Sequence, residues 1–249
     1  RVPDLNNFHN MAASKLSYSK KKLSLGLMSL RSNEEHQKMF GLDALVNHNM
    51  KGGYFSWLGL NADIFLEYVD KISTEKTNLF ENTPNDTIRK GSGYYQNINL
   101  YFKNWGLSTE YKRYSFDKAH GDFTANDYGN QIEYQQMPTL VMEHNSTLLN
   151  RVTHNNNFND ERGLQFALNG NVNNFSILAQ YSHLSRNEEW QSISNYEWVY
   201  SSLKNFLPSS SPSALPFWEN YFELSGYALD DKLYFKIGTG QTKEILKTT

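Results

Sequence analysis

The run Leu58-Gly-Leu-Asn-Ala-Asp-Ile-Phe-Leu-Glu-Tyr-Val69 carries the clearest structural pattern of this chain. Its even positions are all apolar or aromatic, whereas half of its odd positions are polar. Successive side chains of a β-strand point to opposite faces of the sheet, so this period of two predicts a strand with one apolar and one polar face. The run is also about as long as a tilted strand that crosses a bilayer, roughly 9–11 residues.

The same alternation recurs along the chain. Ile98, Leu100 and Phe102 alternate with polar residues or tyrosine, a further run starts at Phe175, and two runs flank Asp230 and form a clear hairpin. We therefore predict an all-β fold. Its form is an antiparallel up-and-down transmembrane β-barrel, or a large fragment of one, with roughly 12–14 strands in this chain.

The connections between these runs alternate between short and long, which favours the barrel. Short turns are predicted at residues 20–22, 51–53, 104–106, 171–174 and 230–231, and longer polar segments at 33–38, 70–92, 117–130, 155–162, 186–192 and 204–215. Tight turns at one rim and long loops at the other are typical of outer-membrane barrels. The rhythm slips after Gln131, where Pro138 cannot donate to a strand ladder, and this predicts a turn, an edge or a plug-like insertion.

Composition limits the class of protein. Aromatic residues make up 14% of the chain although its mean hydropathy is only −0.67 and its net charge is −2, so disorder is not expected. The near-neutral charge also argues against a nucleic-acid partner. The sequence contains no cysteine, which excludes disulfides and thiolate metal sites. We expect one domain over residues 1–249, and the missing closing aromatic at the end, with Arg1 at the start, predicts that this domain is part of a longer chain.

Two residue types are expected at defined places in such a barrel. Tryptophan favours the membrane–water interface, so Trp57, Trp105, Trp190, Trp198 and Trp218, all near predicted strand ends, are expected to form aromatic girdles. Charged strand residues should line a hydrated interior. These are the carboxylates Asp63, Glu67, Glu110, Glu133 and Glu223, balanced by Lys112 and Lys236.

No recognisable catalytic or cofactor motif is present. His144 follows Glu143 and His154 lies ten residues on, but the zinc-protease and paired-histidine patterns are absent. The chain also lacks a nucleophile elbow and a phosphate-binding glycine loop. We therefore expect no catalysis, no cofactor and no metal. Where the rhythm breaks, we predict an interaction or plug segment that includes Pro138, Glu143, His144, Arg151 and His154.

That segment carries a resemblance. The stretch from Pro138 through Thr-Leu-Val-Met-Glu-His-Asn-Ser-Thr-Leu-Leu-Asn-Arg-Val-Thr to His154, with Asn159-Asp-Glu161 and Gly163 after it, resembles a poorly characterised family of outer-membrane β-barrel proteins of the Bacteroidota. The motif Lys90-Gly-Ser-Gly93 before an alternating strand is also similar to that family. The resemblance implies a location in the outer membrane of a Gram-negative bacterium and an association with type nine secretion and gliding machinery. It implies no functional residues.

Three functions remain open on these grounds. The preferred one is a structural or interaction component of a cell-envelope assembly, with membrane lipid and other envelope proteins as partners. The second is a passive or substrate-selective pore, which the lack of a like-charge run disfavours. The third is a secreted β protein that binds carbohydrate through its aromatic residues.

Overall fold

The computed structural model describes residues 7–37, 43–77, 85–115, 140, 160–194, 197–202, 206–230 and 232–245. Within them the chain is all-β, as predicted, apart from a short 3-10 helix at Pro212–Ala214. No helix in these ranges is long and apolar enough to cross a bilayer. The strands are β1 (Asn7–Lys20), β2 (Leu23–Gln37), β3 (Asp43–Leu58), β4 (Ala62–Thr77), β5 (Asn85–Phe102), β6 (Trp105–Ser115), β7 (Asp160–Val172), β8 (Phe175–Ser185), β9 (Glu188–Ser194), β10 (Glu197–Ser202), β11 (Phe217–Ala228) and β12 (Leu233–Glu244).

Ten of these strands form one antiparallel up-and-down sheet. Its order is β1 to β8 in sequence, followed by β11 and β12, while β9 and β10 form a separate hairpin. Strands β1 and β12 each pair with one neighbour only, so the described strands make an open sheet. The predicted closure into a barrel is therefore not present among them. The main sheet also holds fewer strands than the predicted number, because the β9–β10 hairpin lies outside it.

Short turns lie at one end of the sheet and long connections at the other, as the sequence predicts. The short turns are at residues 21–22, 59–61, 103–104, 173–174 and 229–232. Lys21, Lys103 and Asn173 have φ values of 53°, 49° and 54°, the left-handed conformation that a tight turn requires.

Four predicted connections lie largely in strands and are wrong. Of the segments predicted at 33–38 and 186–192, residues 33–37 belong to β2 and residues 188–192 to β9. Residues 51–53 lie inside β3, and the chain turns instead at 59–61, where the Gly59 amide donates to the Ala62 carbonyl oxygen at 2.7 Å. Gly52 serves close strand packing, since an added Cβ would lie 2.6 Å from the Tyr68 carbonyl oxygen. The predicted loop at 70–92 is also mostly strand, because β4 continues to Thr77 and β5 begins at Asn85.

The register of the sheet is staggered. One row of hydrogen-bonded pairs runs through Leu27, Gly53, Tyr68, Tyr94, Arg113, Arg162 and Ser185. Leu27 lies four residues from the tight-turn end of β2, whereas Ser185 lies ten residues from that end of β8. Relative to the row of tight turns, the pairing register thus shifts by six residues over the six steps from β2 to β8. This shift tilts the strands by roughly 35° away from the perpendicular to that row. This inclination is close to the tilt of strands in closed barrels, roughly 35–45°.

Candidate functional site

One face of the sheet, called the apolar face here, carries the large hydrophobic side chains. Directly paired residues share a face, so the register assigns every strand position to one side. Many of these side chains are open to solvent; Leu27 is 67% exposed and Ile237 is 66% exposed. The apolar face includes Leu16, Tyr18, Leu23, Leu25, Leu27, Phe55, Trp57, Ile64, Leu66, Tyr68, Ile98, Leu100, Leu107, Phe166, Leu168, Phe175, Ile177, Phe222, Leu224, Phe235 and Ile237.

The opposite face, called the polar face, is the buried one. Glu34, Lys112 and Ser182 have no exposed surface, and Lys71 and Glu161 are also buried. Where side chains are described, this face holds twice as many carboxylates as lysines. The carboxylates are Glu34, Asp63, Glu67, Glu110, Glu161, Glu219, Glu223 and Glu244, and the lysines are Lys15, Lys71, Lys112 and Lys236. The predicted interior residues Asp63, Glu67, Glu110, Glu223, Lys112 and Lys236 thus share one face.

Burial is inverted relative to a water-soluble β protein. Charged side chains are almost never fully buried in soluble proteins unless they are paired, and large exposed apolar patches mark surfaces that contact another apolar phase or partner. In this sheet, buried charged side chains lie on one face and exposed apolar side chains on the other. The apolar face therefore requires a cover other than water.

The apolar stripe has defined borders. It starts at the tight turns and ends at Arg31, Lys51, Asp70 and Arg113, which lie seven or eight residues along their strands. Eight residues extend roughly 26 Å along a strand, or roughly 21 Å perpendicular to the line of turns at the inclination given above. On these four strands the first charged residue of the apolar face thus lies at a similar distance from the tight turns, while Ile72 and Ile88 on the same face lie beyond that border.

Three tryptophans lie at the borders of this stripe. Trp57 and Trp105 are on the apolar face beside the tight turns, and Trp218 is on the same face at the opposite end. Trp105 packs over Gly170, where an added Cβ would lie 2.2 Å from its ring. The side chains of Trp190 and Trp198, in β9 and β10, lie outside the described residues.

Ion pairs and hydrogen bonds connect the charges of the polar face. Lys112 Nζ lies 2.5 Å from Glu161 Oε1, and Lys236 Nζ lies 2.8 Å from Glu223 Oε1. The Tyr95 hydroxyl donates to Glu110 Oε2 at 3.0 Å. In the Lys112–Glu161 pair, where both side chains are buried, the contact offsets the desolvation that burial imposes on each charge.

A serine, a histidine and a glutamate meet on β4, β3 and β2. Ser73 Oγ lies 2.8 Å from His48 Nδ1, and His48 Nε2 lies 3.5 Å from Glu34 Oε1. These are the residue types of a hydrolase triad, but all three side chains are buried. With Ser73 only 1% exposed, the arrangement links three strands rather than presenting a nucleophile to a substrate.

The interaction segment is predicted at residues 138–163, of which the structure describes Leu140 and residues 160–163 at the start of β7. Leu140 lies on the polar face. Leu140 is fully buried and clusters with Leu184 and Phe217. Its Cδ1 lies so close over Gly163 that an added Cβ there would be 2.7 Å away. The chain between β6 and β7 therefore returns to the polar face at this point.

The connection between β8 and β11 covers the end of the apolar face away from the tight turns. Residues 186–189 and 206–216 are called the rim cap here. The Phe206 ring stacks on Tyr111 at 4.0 Å, and its carbonyl oxygen accepts a hydrogen bond from the Tyr111 hydroxyl at 2.8 Å. Burial lowers the pKa of the Arg186 guanidinium, and the charge of Asp160 opposes that shift.

Asn187 joins the rim cap to the sheet. Its side-chain oxygen accepts hydrogen bonds from Arg162 Nε at 3.1 Å and Arg113 Nε at 3.3 Å. Its backbone amide donates to Asp160 Oδ1 at 2.9 Å, and its side-chain nitrogen donates to the Tyr114 carbonyl. The sequence gives no local sign of this role, because the partners are about 27 and 73 residues away along the chain.

The remaining predicted site residues cannot be placed on either face. Pro138, Glu143, His144, Arg151, His154 and the predicted interior residue Glu133 lie outside the described residues. Among the parts of the chain that are described, no three histidine or carboxylate side chains are arranged to hold a metal ion.

Comparison with known proteins gives one match. Residues 6–197 match a family described as a family of unknown function, DUF6029. No curated protein and no solved structure matches the chain.

Proposed function

Since the chain belongs to the family of unknown function DUF6029, whose description names no activity, we propose a function from the two faces of its sheet. The protein is a bacterial outer-membrane β-barrel, and it serves as a structural and interaction component of a cell-envelope assembly. Its apolar face contacts lipid, its polar face is the hydrated interior, and other envelope proteins are its partners. The link to secretion rests on the resemblance of the segment at 138–163.

The inversion of burial is the observation that carries this proposal. A sheet with leucine and phenylalanine outside and paired charges inside is stable where hydrocarbon replaces water on the outer side. The stripe is roughly 21 Å high, and the apolar band of outer-membrane barrels is roughly 25 Å tall. The three tryptophans whose side chains are described, Trp57, Trp105 and Trp218, lie at its two borders, as expected for an aromatic girdle.

Closure of the barrel is part of the proposal. An open edge in hydrocarbon leaves backbone amides and carbonyls without partners, which costs several kcal/mol for each group. The free sides of β1 and β12 must therefore be paired in the membrane, with each other or with further strands. The inclination of the strands already suits such closure.

Fluorescence quenching tests the lipid assignment. A variant that keeps Trp57 and has phenylalanine at the other four tryptophans is reconstituted in vesicles with brominated acyl chains. The matched control is Tyr95→Trp in a background without other tryptophans, which places the reporter on the polar face of β5. We expect brominated lipid to quench the fluorescence of Trp57 strongly and that of the control weakly. Aqueous iodide should not quench Trp57 more than the control. Equal quenching of both reporters by brominated lipid would contradict the proposal.

The interaction role has its own test. Residues 139–154 are scrambled, and the protein is purified from native membranes. We expect the barrel to assemble but to lose proteins that co-purify with the wild type. If co-purification is unchanged while conductance in a planar bilayer rises, the segment is a plug and the pore function is correct instead.

The pore is the second candidate, and the charge of the polar face favours it. Carboxylates outnumber lysines two to one among the described side chains of that face, and an excess of acidic groups attracts cations into a channel. A pore would therefore prefer cations over anions. Leu140 on the same face favours an occluded interior and hence the interaction role.

A further inference from the structure

The apolar face has a hollow in its first four strands. Gly53 has no side chain, and the surrounding residues leave a space of about 530 Å³ above it. The register places most of its lining on the apolar face, and these residues are Leu16, Tyr18, Leu25, Leu27, Phe55, Leu66, Tyr68 and Tyr94. Gly26, Tyr54 and Glu67, whose strand positions belong to the polar face, also line it. This volume is in the range of small-molecule pockets, roughly 300–1,000 Å³. The hollow suits a hydrocarbon chain.

Two cations stand at one end of this hollow. Lys51 is two residues from Gly53 on β3, and Arg31 on β2 is its diagonal neighbour, because Arg31 pairs with Asn49. Diagonal neighbours of this kind lie roughly 7–8 Å apart, so their charges repel. Both side chains are exposed, and within the described residues neither forms an ion pair.

The other charges nearby leave the cations in excess. Asp70 is directly opposite Lys51, but its carboxylate accepts a hydrogen bond from the Tyr68 hydroxyl at 2.7 Å. Lys90 on β5 is the diagonal neighbour of Asp70. The border over β2 to β5 therefore carries three cations and one carboxylate. Lys20 is the basic residue beyond Tyr18 at the other end of the hollow.

We infer that the hollow at Gly53 and the pair Arg31–Lys51 form one binding site for a lipid with an anionic phosphate head group. The phosphate lies between the two cations and relieves their repulsion, and one acyl chain fills the hollow. Charge complementarity selects the head group, and the apolar lining selects a lipid over free phosphate. This inference rests on the proposed membrane location of the apolar face.

The test uses the full chain in detergent micelles, with dioleoyl phosphatidic acid as the probe and native mass spectrometry as the readout. Each cation strengthens binding of an anionic head group by roughly fivefold, and the double variant R31Q/K51Q removes two of them. This variant should therefore bind the probe roughly thirtyfold more weakly than the wild type. The control K103Q/K232Q removes the same charge from distant turns and should bind within about twofold of the wild type. Phosphatidylcholine should bind more weakly than phosphatidic acid. Inorganic phosphate should not displace bound phosphatidic acid.

The hollow is tested with the cations intact. Gly53→Leu should abolish retention of the probe. Because a Cβ at this position would lie 3.0 Å from the Gly26 carbonyl oxygen, Leu66→Phe provides a second filling variant that leaves the glycine in place. Binding that survives both filling variants would overturn the acyl-chain assignment.

The remaining outcomes separate this site from the proposed function. If K20Q/K22Q loses the probe and R31Q/K51Q keeps it, the head group lies at the other end and the assignment is wrong. If all variants bind alike while brominated lipid still quenches Trp57, the site is refuted and the membrane location stands. Absence of that quenching refutes the membrane location itself.

Discussion

Lys112 Nζ lies 2.5 Å from Glu161 Oε1, between adjacent strands β6 and β7, and both side chains are buried on the polar face. Gly163 pairs directly with Lys112 and lies under Leu140, so the ion pair sits beside the point where the β6–β7 connection returns to the sheet. A charge pair in this position holds together the strands and the segment above them.

Breaking this pair should destabilise the fold. Lys112→Met leaves the Glu161 carboxylate buried without its ammonium partner, and loss of one partner of a buried pair costs about 3–5 kcal/mol. The double variant Lys112→Met/Glu161→Leu removes both charges and should recover much of that loss. Urea unfolding of the reconstituted protein measures both values. A double variant no more stable than Lys112→Met would show that the pair is not coupled.

The two faces should respond differently to arginine. Ile98 and Asn97 are adjacent on β5 and point to the apolar and polar faces respectively. Ile98→Arg should reduce the free energy of unfolding in vesicles by roughly 2–4 kcal/mol if the side chain is near the bilayer midplane, and Asn97→Arg by much less. Equal losses would indicate that both faces contact the same medium, as in a soluble sheet.

Asn187 should control attachment of the rim cap. Asn187→Ala removes acceptors from Arg162 and Arg113 and a donor from the Tyr114 carbonyl, and each buried group left unsatisfied costs about 1–3 kcal/mol. We expect lower thermal stability and faster proteolysis within 186–216. Asn220→Ala, at an exposed position on β11, is the matched control and should change neither. Similar proteolysis of the two variants would rule out this role for Asn187.

Leu140 should determine whether the polar face is occluded. Leu140→Asp places a carboxylate in the apolar cluster with Leu184 and Phe217, and should displace the segment from the sheet. Conductance in planar bilayers should then rise above that of the wild type. Leu60→Asp, in a tight turn where the side chain is 87% exposed, controls for the added charge. Unchanged conductance in Leu140→Asp would show that Leu140 does not hold a plug.

Alternation in the sequence was sufficient to predict an all-β fold and the two faces of its sheet. Ile64 and Leu66 share one face and Asp63 and Glu67 the other because side-chain direction in a strand depends only on position parity. Local patterns did not locate every turn. Leu58 ends β3 and Leu60 lies in the turn, so the opening run of alternating residues is not one strand. Apolar residues keep to even positions across the three-residue turn, which hides the break in the sequence. Leu58 nevertheless pairs with Asp63 on the polar face, whereas Ile64 lies on the apolar face.

Glycine shows a second limit of the sequence. Gly52 and Gly53 predict a turn by composition, but they lie inside β3 because the neighbouring strands approach too closely for a side chain at Gly52 and leave a hollow at Gly53. Local sequence cannot distinguish these uses of glycine, since the atoms that decide between them belong to β2 and β4.

Residue order alone established that the chain alternates between an apolar and a polar surface. Which of the two surfaces is buried depends on the folded sheet, because burial follows from the pairing of strands that are far apart in the chain. Lys112 meets Glu161 across 49 positions of sequence, and Asn187 meets Tyr114 across 73. Such contacts arise from strand register, which is a property of the assembled sheet and not of any one segment.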